Sequence, residues 1–142
     1  MMENSEDRIL GIDYGEKRIG LAISDPLKLF ASPLVTLDMK DNFWQELSKI
    51  IVEYHVTKIV LGYPLKESGE KSRSTELVEK FLEELKKRFS VPVELIDERY
   101  SSSIAMQQII ETVKSKKKRR DKSLIDKKAA AVILQDYLNG AV

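Results

Sequence analysis

The stretch "RILGIDYGEKRIGLAISD", Arg8 to Asp25, decides how the rest of the chain is read. Two apolar runs, Ile9 to Ile12 and Ile19 to Ile23, flank the short polar segment "YGEK". This pattern predicts an antiparallel hairpin, with Gly15 letting the backbone turn tightly. Pro26 ends the second strand, because proline cannot donate to a ladder. The first run ends on a carboxylate, Asp13. An acid at the end of a buried strand carries a desolvation cost and so needs a reason.

Downstream, "SPLVTLD", Ser32 to Asp38, reads as a third strand. The period then changes. In "DNFWQELSKIIVEYHV", Phe43, Leu47, Ile50, Ile51 and Tyr54 recur at helical spacing, and Asp41 or Asn42 can cap the start. "KIVLGYP" is a short apolar strand of the kind covered on both faces of a parallel sheet, broken at Gly62 and Pro64. A polar loop, "LKESGEKS", precedes a helix from about Ser74 to Phe89. "VPVELIDERY" is another strand. "SSSIAMQQIIETV" reads as a helix, and "SLIDKKAAAVILQDYLNG" as a final helix closed by Asn139 and Gly140. The order β-β-β-α-β-α-β-α-α predicts an α/β fold, a mixed five-stranded sheet with helices on both faces. In such sheets, ligands bind near the C-terminal ends of the parallel strands.

The chain has 142 residues, 42% of them hydrophobic and 33% charged, which suits one globular domain, 1-142. It contains no cysteine, which excludes disulfides and thiolate chemistry and fits a cytoplasmic setting. "MMENSEDR" is not of signal-peptide type, and no run approaches the roughly 20 apolar residues of a membrane span, so no membrane partner is expected. The net charge of +1 hides an uneven distribution. "KSKKKRRDK", Lys114 to Lys122, is densely basic, and the remainder is net acidic.

Three acidic positions fall where this architecture would use them. Asp13 ends the first strand. Asp97-Glu98 ends the strand that follows Pro92. Asp126 is placed in the first turn of the last helix, on one stripe with Ala130, Ile133 and Tyr137 and with Ala129 beside it. That stripe should face the sheet, and its alanines would let the helix come close. Converging carboxylates repel each other, and a hard divalent cation relieves this better than protonation does. Oxygen-only donors favour Mg²⁺ or Mn²⁺ over Zn²⁺. Two such ions ~4 Å apart would stabilise both the attacking and the leaving oxygen of a phosphodiester. Plainer readings exist for each acid. Ser123-x-x-Asp126 fits a helix cap, Asp97-Glu98-Arg99 fits a surface ion-pair cluster, and Asp13 fits a turn start.

Four blocks, "GIDYGEKRIGLAISD", "VLGYP", "IDERYSS" and "DKSLIDKKAAAVILQDYL", resemble the YqgF/RuvX family in the family's order, from about Arg8 to Leu138. These proteins are related to the RuvC Holliday-junction resolvases and have the RNase H-like fold. The resemblance implies a metal-dependent nuclease that matures the 5′ end of pre-16S rRNA. Junction-resolvase activity is the alternative. The implied partners are pre-rRNA or branched DNA and the pre-ribosomal particle, with the chain acting as monomer or homodimer. The family's three acids fall on Asp13, Glu98 and Asp126. Strand alternation allows only one of Asp97 and Glu98 to point inward, and the resemblance selects Glu98. Gly62 and Pro64 match the family's Gly-x-Pro turn, and Lys17, Arg18 and Gly20 match its hairpin block. Tyr100 and the serines after it stand where many members have leucine and threonines.

The cations supply candidate phosphate contacts: Lys116, Lys117, Lys118, Arg119 and Arg120 in the basic run, with Lys17, Arg18 and Arg99 nearer the acids. Lone His55 reads as a helix C-terminal residue, Trp44 as a packing residue, and Tyr63 as a packing residue that could stack on a base. Two rival functions remain from sequence. A sugar-kinase or actin-type ATPase shares the core, but it needs two such domains. A non-catalytic RNA-binding ribosome-assembly module would not need all three acids.

Overall fold

The computed structural model describes residues 6–66, 68–97 and 122–140. The hairpin forms as its sequence predicts. β1 (Arg8–Asp13) and β2 (Arg18–Ser24) pair antiparallel, with Leu10 opposite Ile23 and Asp13 opposite Gly20. A Cβ on Gly15 would lie 2.4 Å from the Arg18 carbonyl oxygen, so the turn closes only around glycine. β3 (Ala31–Asp38) pairs antiparallel with β2. β4 (Val56–Tyr63) and β5 (Val93–Asp97) extend the sheet in parallel from β1. The order is β3-β2-β1-β4-β5. The mixed five-stranded sheet expected from the sequence is therefore present.

Strand alternation divides the core into two layers. Leu10, Ile12, Ile19, Leu21, Ile59 and Leu61 face α1 (Phe43–Glu53) and α2 (Arg73–Arg88), where Phe43, Leu47, Val78, Phe81 and Leu85 complete the packing. Trp44 joins this layer: its ring stacks on Phe81 at 5.5 Å, and the Arg88 guanidinium lies 4.5 Å over it. On the other side, Ile9, Ala22, Val60 and Ile96 pack against Ala130, Ile133 and Leu134 of α3 (Lys122–Leu138). Gly140, with φ of 92°, follows the end of this helix.

The helix starts depart from the sequence reading in three places. Asn42 occupies the cap position of α1, but no side chain caps it; the first turn is set by Phe43 N–H donating to the Lys40 carbonyl at 2.9 Å. α2 begins at Arg73 behind a capping box in which Ser72 and Thr75 bond each other's backbone N–H. The Thr75 hydroxyl also donates to the Pro64 carbonyl, tying the helix start to the end of β4. α3 begins at Lys122, so Ser123 lies inside the helix and is not its cap, and Asp126 lies one residue beyond the first turn. His55 adopts a left-handed φ of 50°, and its carbonyl accepts from Arg8 N–H at 3.1 Å. It forms the corner between α1 and β4, with its imidazole 3.5 Å from Glu6.

The helix expected over "SSSIAMQQIIETV" lies outside the described residues. So do Glu98, Arg99, and Lys116, Lys117, Lys118, Arg119 and Arg120. Among the described residues, no helix is long and apolar enough to cross a membrane.

Candidate active site

The site is built by one close approach. Gly11, Asp13, Gly20 and Ala22 point to the α3 side of the sheet, alternating with the core residues Leu10, Ile12, Ile19 and Leu21. Glycines at two of these positions remove the side chains that would hold α3 away. A Cβ on Gly11 would meet the Leu134 Cβ at 2.7 Å, and one on Gly20 would fall 2.0 Å from the Asp126 carbonyl oxygen. The backbone of Asp126 therefore rests on Gly20. Gly20 is the cross-strand partner of Asp13, one strand spacing of about 5 Å away. Two acids that are 113 positions apart in the numbering are brought to the same end of the sheet.

Asp13 and Asp126 line a single cavity of about 530 Å³ at the C-terminal ends of the parallel strands. Lys17 and Arg18 of the hairpin line it too. Gly62 and Pro64 line it at the end of β4, and Ser74 lines it from the start of α2. Arg18 Nε donates to Asp126 Oδ2 at 2.9 Å, and both side chains are half-buried. Glu16 and Arg73 face each other at 3.6 Å between the hairpin and α2. Burial, then the charge of Glu16, pushes the Tyr14 hydroxyl above its ordinary pKa, so it stays protonated at neutral pH.

Of the residues expected from the sequence, Asp13, Asp126, Lys17 and Arg18 meet in this cavity. Asp97 ends β5 opposite Tyr63 and is absent from the described lining. Among the described residues, no three acidic, histidine or cysteine side chains gather closely enough to hold a metal. The carboxylates that line the cavity, Asp13, Glu16 and Asp126, offer oxygen donors only, which fit Mg²⁺ or Mn²⁺. The sequence reading missed two features. It left Arg18 between a phosphate contact and a structural role without naming a partner, whereas Arg18 is paired with Asp126. It also did not single out Gly11 and Gly20 as the seat of α3, although small residues on the α3 side of adjacent strands are the signal for such an approach.

Comparisons with known proteins identify the family and the fold. The family model described as "RuvX: Holliday junction resolvase" matches residues 7–140. A protein of Chlorobaculum tepidum, named a candidate pre-16S rRNA nuclease, is 41% identical over 140 residues, 98% of each chain. One of Dictyoglomus turgidum with the same name is 42% identical over 135 residues, 93% of this chain and 94% of its own. Among solved structures, Thermus thermophilus RuvC superposes with a TM-score of 0.54 at 12% identity, covering 94% of this chain and 97% of that one. The fowlpox virus Holliday junction resolvase superposes with a TM-score of 0.54 at 13% identity, covering 95% and 99%. At these identities the structural likeness carries the fold, which is RNase H-like. With the family match spanning nearly every residue from the hairpin to the end of α3, this chain belongs to the RuvX family.

Proposed function

We propose that this chain is a divalent-metal-dependent nuclease that hydrolyses phosphodiester bonds in the 5′-end maturation of pre-16S rRNA. The observation that carries the reading is the convergence of Asp13 and Asp126 on one cavity at the strand ends, with Lys17 and Arg18 beside them. The relatives' names supply the substrate. Glu98, next after β5, is proposed as the third carboxylate.

These acids would hold Mg²⁺ or Mn²⁺, as a pair of ions, which when bound polarise the phosphoryl oxygen and acidify the attacking water. The residues of the chain do the rest. Asp13, on a hydrogen-bonded strand, and Asp126, on a helix wedged against that strand, keep their spacing without reorganisation. Lys17 and the terminal nitrogens of Arg18 attract the substrate backbone. Lys116, Lys117, Lys118, Arg119 and Arg120, with Arg99, are proposed to extend that attraction, without reading sequence. The family description supports a second reading, cleavage of four-way DNA junctions.

The test compares the parent with Asp13→Asn and Asp126→Asn on a pre-16S rRNA fragment and on a four-way junction, each with and without Mn²⁺. The rate should fall by more than the roughly hundredfold that removal of a group merely supporting a ligand costs, while nucleic-acid binding survives. Undiminished cleavage by either variant would refute the assignment. Cleavage of the junction but not the rRNA would favour the second reading.

A further inference from the structure

Arg18 opens β2 on the α3 side of the sheet and reaches across to Asp126, a residue 108 positions away. The bond runs from Nε to Oδ2 at 2.9 Å. It uses one of the five guanidinium donors and one of the two carboxylate oxygens. The terminal nitrogens make no hydrogen bond or ion pair to another described residue. Arg18 also lines the cavity where a phosphodiester must lie to meet Asp13 and Asp126.

The pair is not needed to fasten α3. The helix rests on Gly11 and Gly20. The Thr36 hydroxyl donates to the Ser123 carbonyl. Gln135 accepts from Ala31 N–H at 2.8 Å and donates to the Leu29 carbonyl at 3.0 Å. With both ends of the helix anchored elsewhere, Arg18 is left with an electrostatic task.

We propose that Arg18 is an exchangeable counter-ion of Asp126, holding the carboxylate in the free protein and passing to a substrate phosphate when a divalent cation takes its place. The proposal rests on the metal-dependent reading above. A dication and a guanidinium on one carboxylate repel each other, so each weakens the hold of the other. The displaced arginine finds the partner its planar fork suits best, a phosphodiester anion. By linkage, a phosphate that draws Arg18 away makes Asp126 a better cation ligand. The free site is thereby kept from binding cations as tightly as its carboxylates allow, and substrate removes that restraint. Arg18 is a positioning residue for Asp126 as well as a substrate contact.

The experiment uses the full chain and its Arg18→Gln variant. Mn²⁺ affinity is measured by calorimetry without nucleic acid. Affinity for a fluorescein-labelled single-stranded RNA in Mn²⁺ is read by anisotropy before cleavage proceeds. The variant should bind Mn²⁺ about two- to fivefold more tightly, the scale of one partly exposed ion pair. It should bind the RNA more weakly, with the slope of log affinity against log salt reduced by about 0.7. A merely structural link predicts weaker binding of both, and Mn²⁺ affinity that is unchanged or lower overturns the proposal. Should Arg18→Gln fail to fold, Arg18→Lys decides: it keeps the charge but loses the planar fork that suits a phosphodiester, so it should bind the RNA more weakly, and RNA binding equal to the parent overturns the proposal. An Asp126→Asn control separates the two levels. Parental Mn²⁺ affinity in that control overturns the metal reading and the counter-ion with it. Weakened Mn²⁺ binding there, with no gain in Arg18→Gln, overturns the counter-ion alone.

Discussion

The carbonyl oxygen of Asp126 occupies the space where a side chain on Gly20 would begin, 2.0 Å from an ideal Cβ. The obstacle is backbone, not the end of a flexible side chain, so Gly20→Ala must push α3 outward. Overpacking of this kind costs about 1–3 kcal/mol. Urea unfolding should show that loss, and Mn²⁺ affinity should fall with it because Asp126 shifts relative to Asp13. A variant with parental stability would show that the contact is looser than described.

The basic run can be tested through salt alone. Replacing Lys116, Lys117, Lys118, Arg119 and Arg120 by serine should flatten the salt dependence of RNA binding, by about 0.7 for each phosphate no longer neutralised. Cleavage at saturating substrate should change little, since these cations are assigned to attraction and not to the acids. An unchanged salt slope would remove the run from the binding surface.

Trp44, the only tryptophan, reports on the layer it packs into. It lies against Phe43, Phe81 and Phe89 with Arg88 over its face. Trp44→Ala should cost roughly 3 kcal/mol, near the lower end for truncating a large aromatic because the ring is only half-buried. In the parent, its fluorescence should follow unfolding and stay steady on RNA addition. Quenching by RNA would instead give Trp44 a base-stacking role.

Lys58, Glu94 and Tyr137 join β4, β5 and α3, with Lys58 Nζ 3.2 Å from Glu94 and 3.1 Å from the Tyr137 hydroxyl. The Tyr137 hydroxyl, then Lys58, holds Glu94 below its ordinary 4.5. That contribution is present above about pH 4.5 and is lost as pH falls through the lowered folded-state value. The Tyr137 hydroxyl, then Glu94, raises Lys58 above 10.5. Its contribution is present below about pH 10.5 and is lost as pH climbs through the raised value. Urea midpoints measured across pH should therefore fall at both extremes, and Tyr137→Phe should soften both falls.

The hairpin, the alternation of helix and strand, and two of the acids were readable because each is written locally. Asp13 breaks an apolar run, and Asp126 sits on the stripe of Ala130 and Ile133. The bond from Arg18 to Asp126 has no local signature, since it depends on how α3 crosses β2. Gly11 and Gly20 were visible but ambiguous, because a strand glycine can mark a bulge as easily as a close approach. The cap of α1 was misread because Asn42 suits the position by type, yet the chain satisfies that end through the Lys40 carbonyl.

One consequence follows from the order of the elements. All five strands of the sheet precede α3 in the chain, and Asp126 comes with α3. A nascent polypeptide can therefore complete its sheet while still lacking half of the acid pair. On the proposed function, that nascent chain would lack one metal ligand until α3 leaves the ribosome and packs over the hairpin made first.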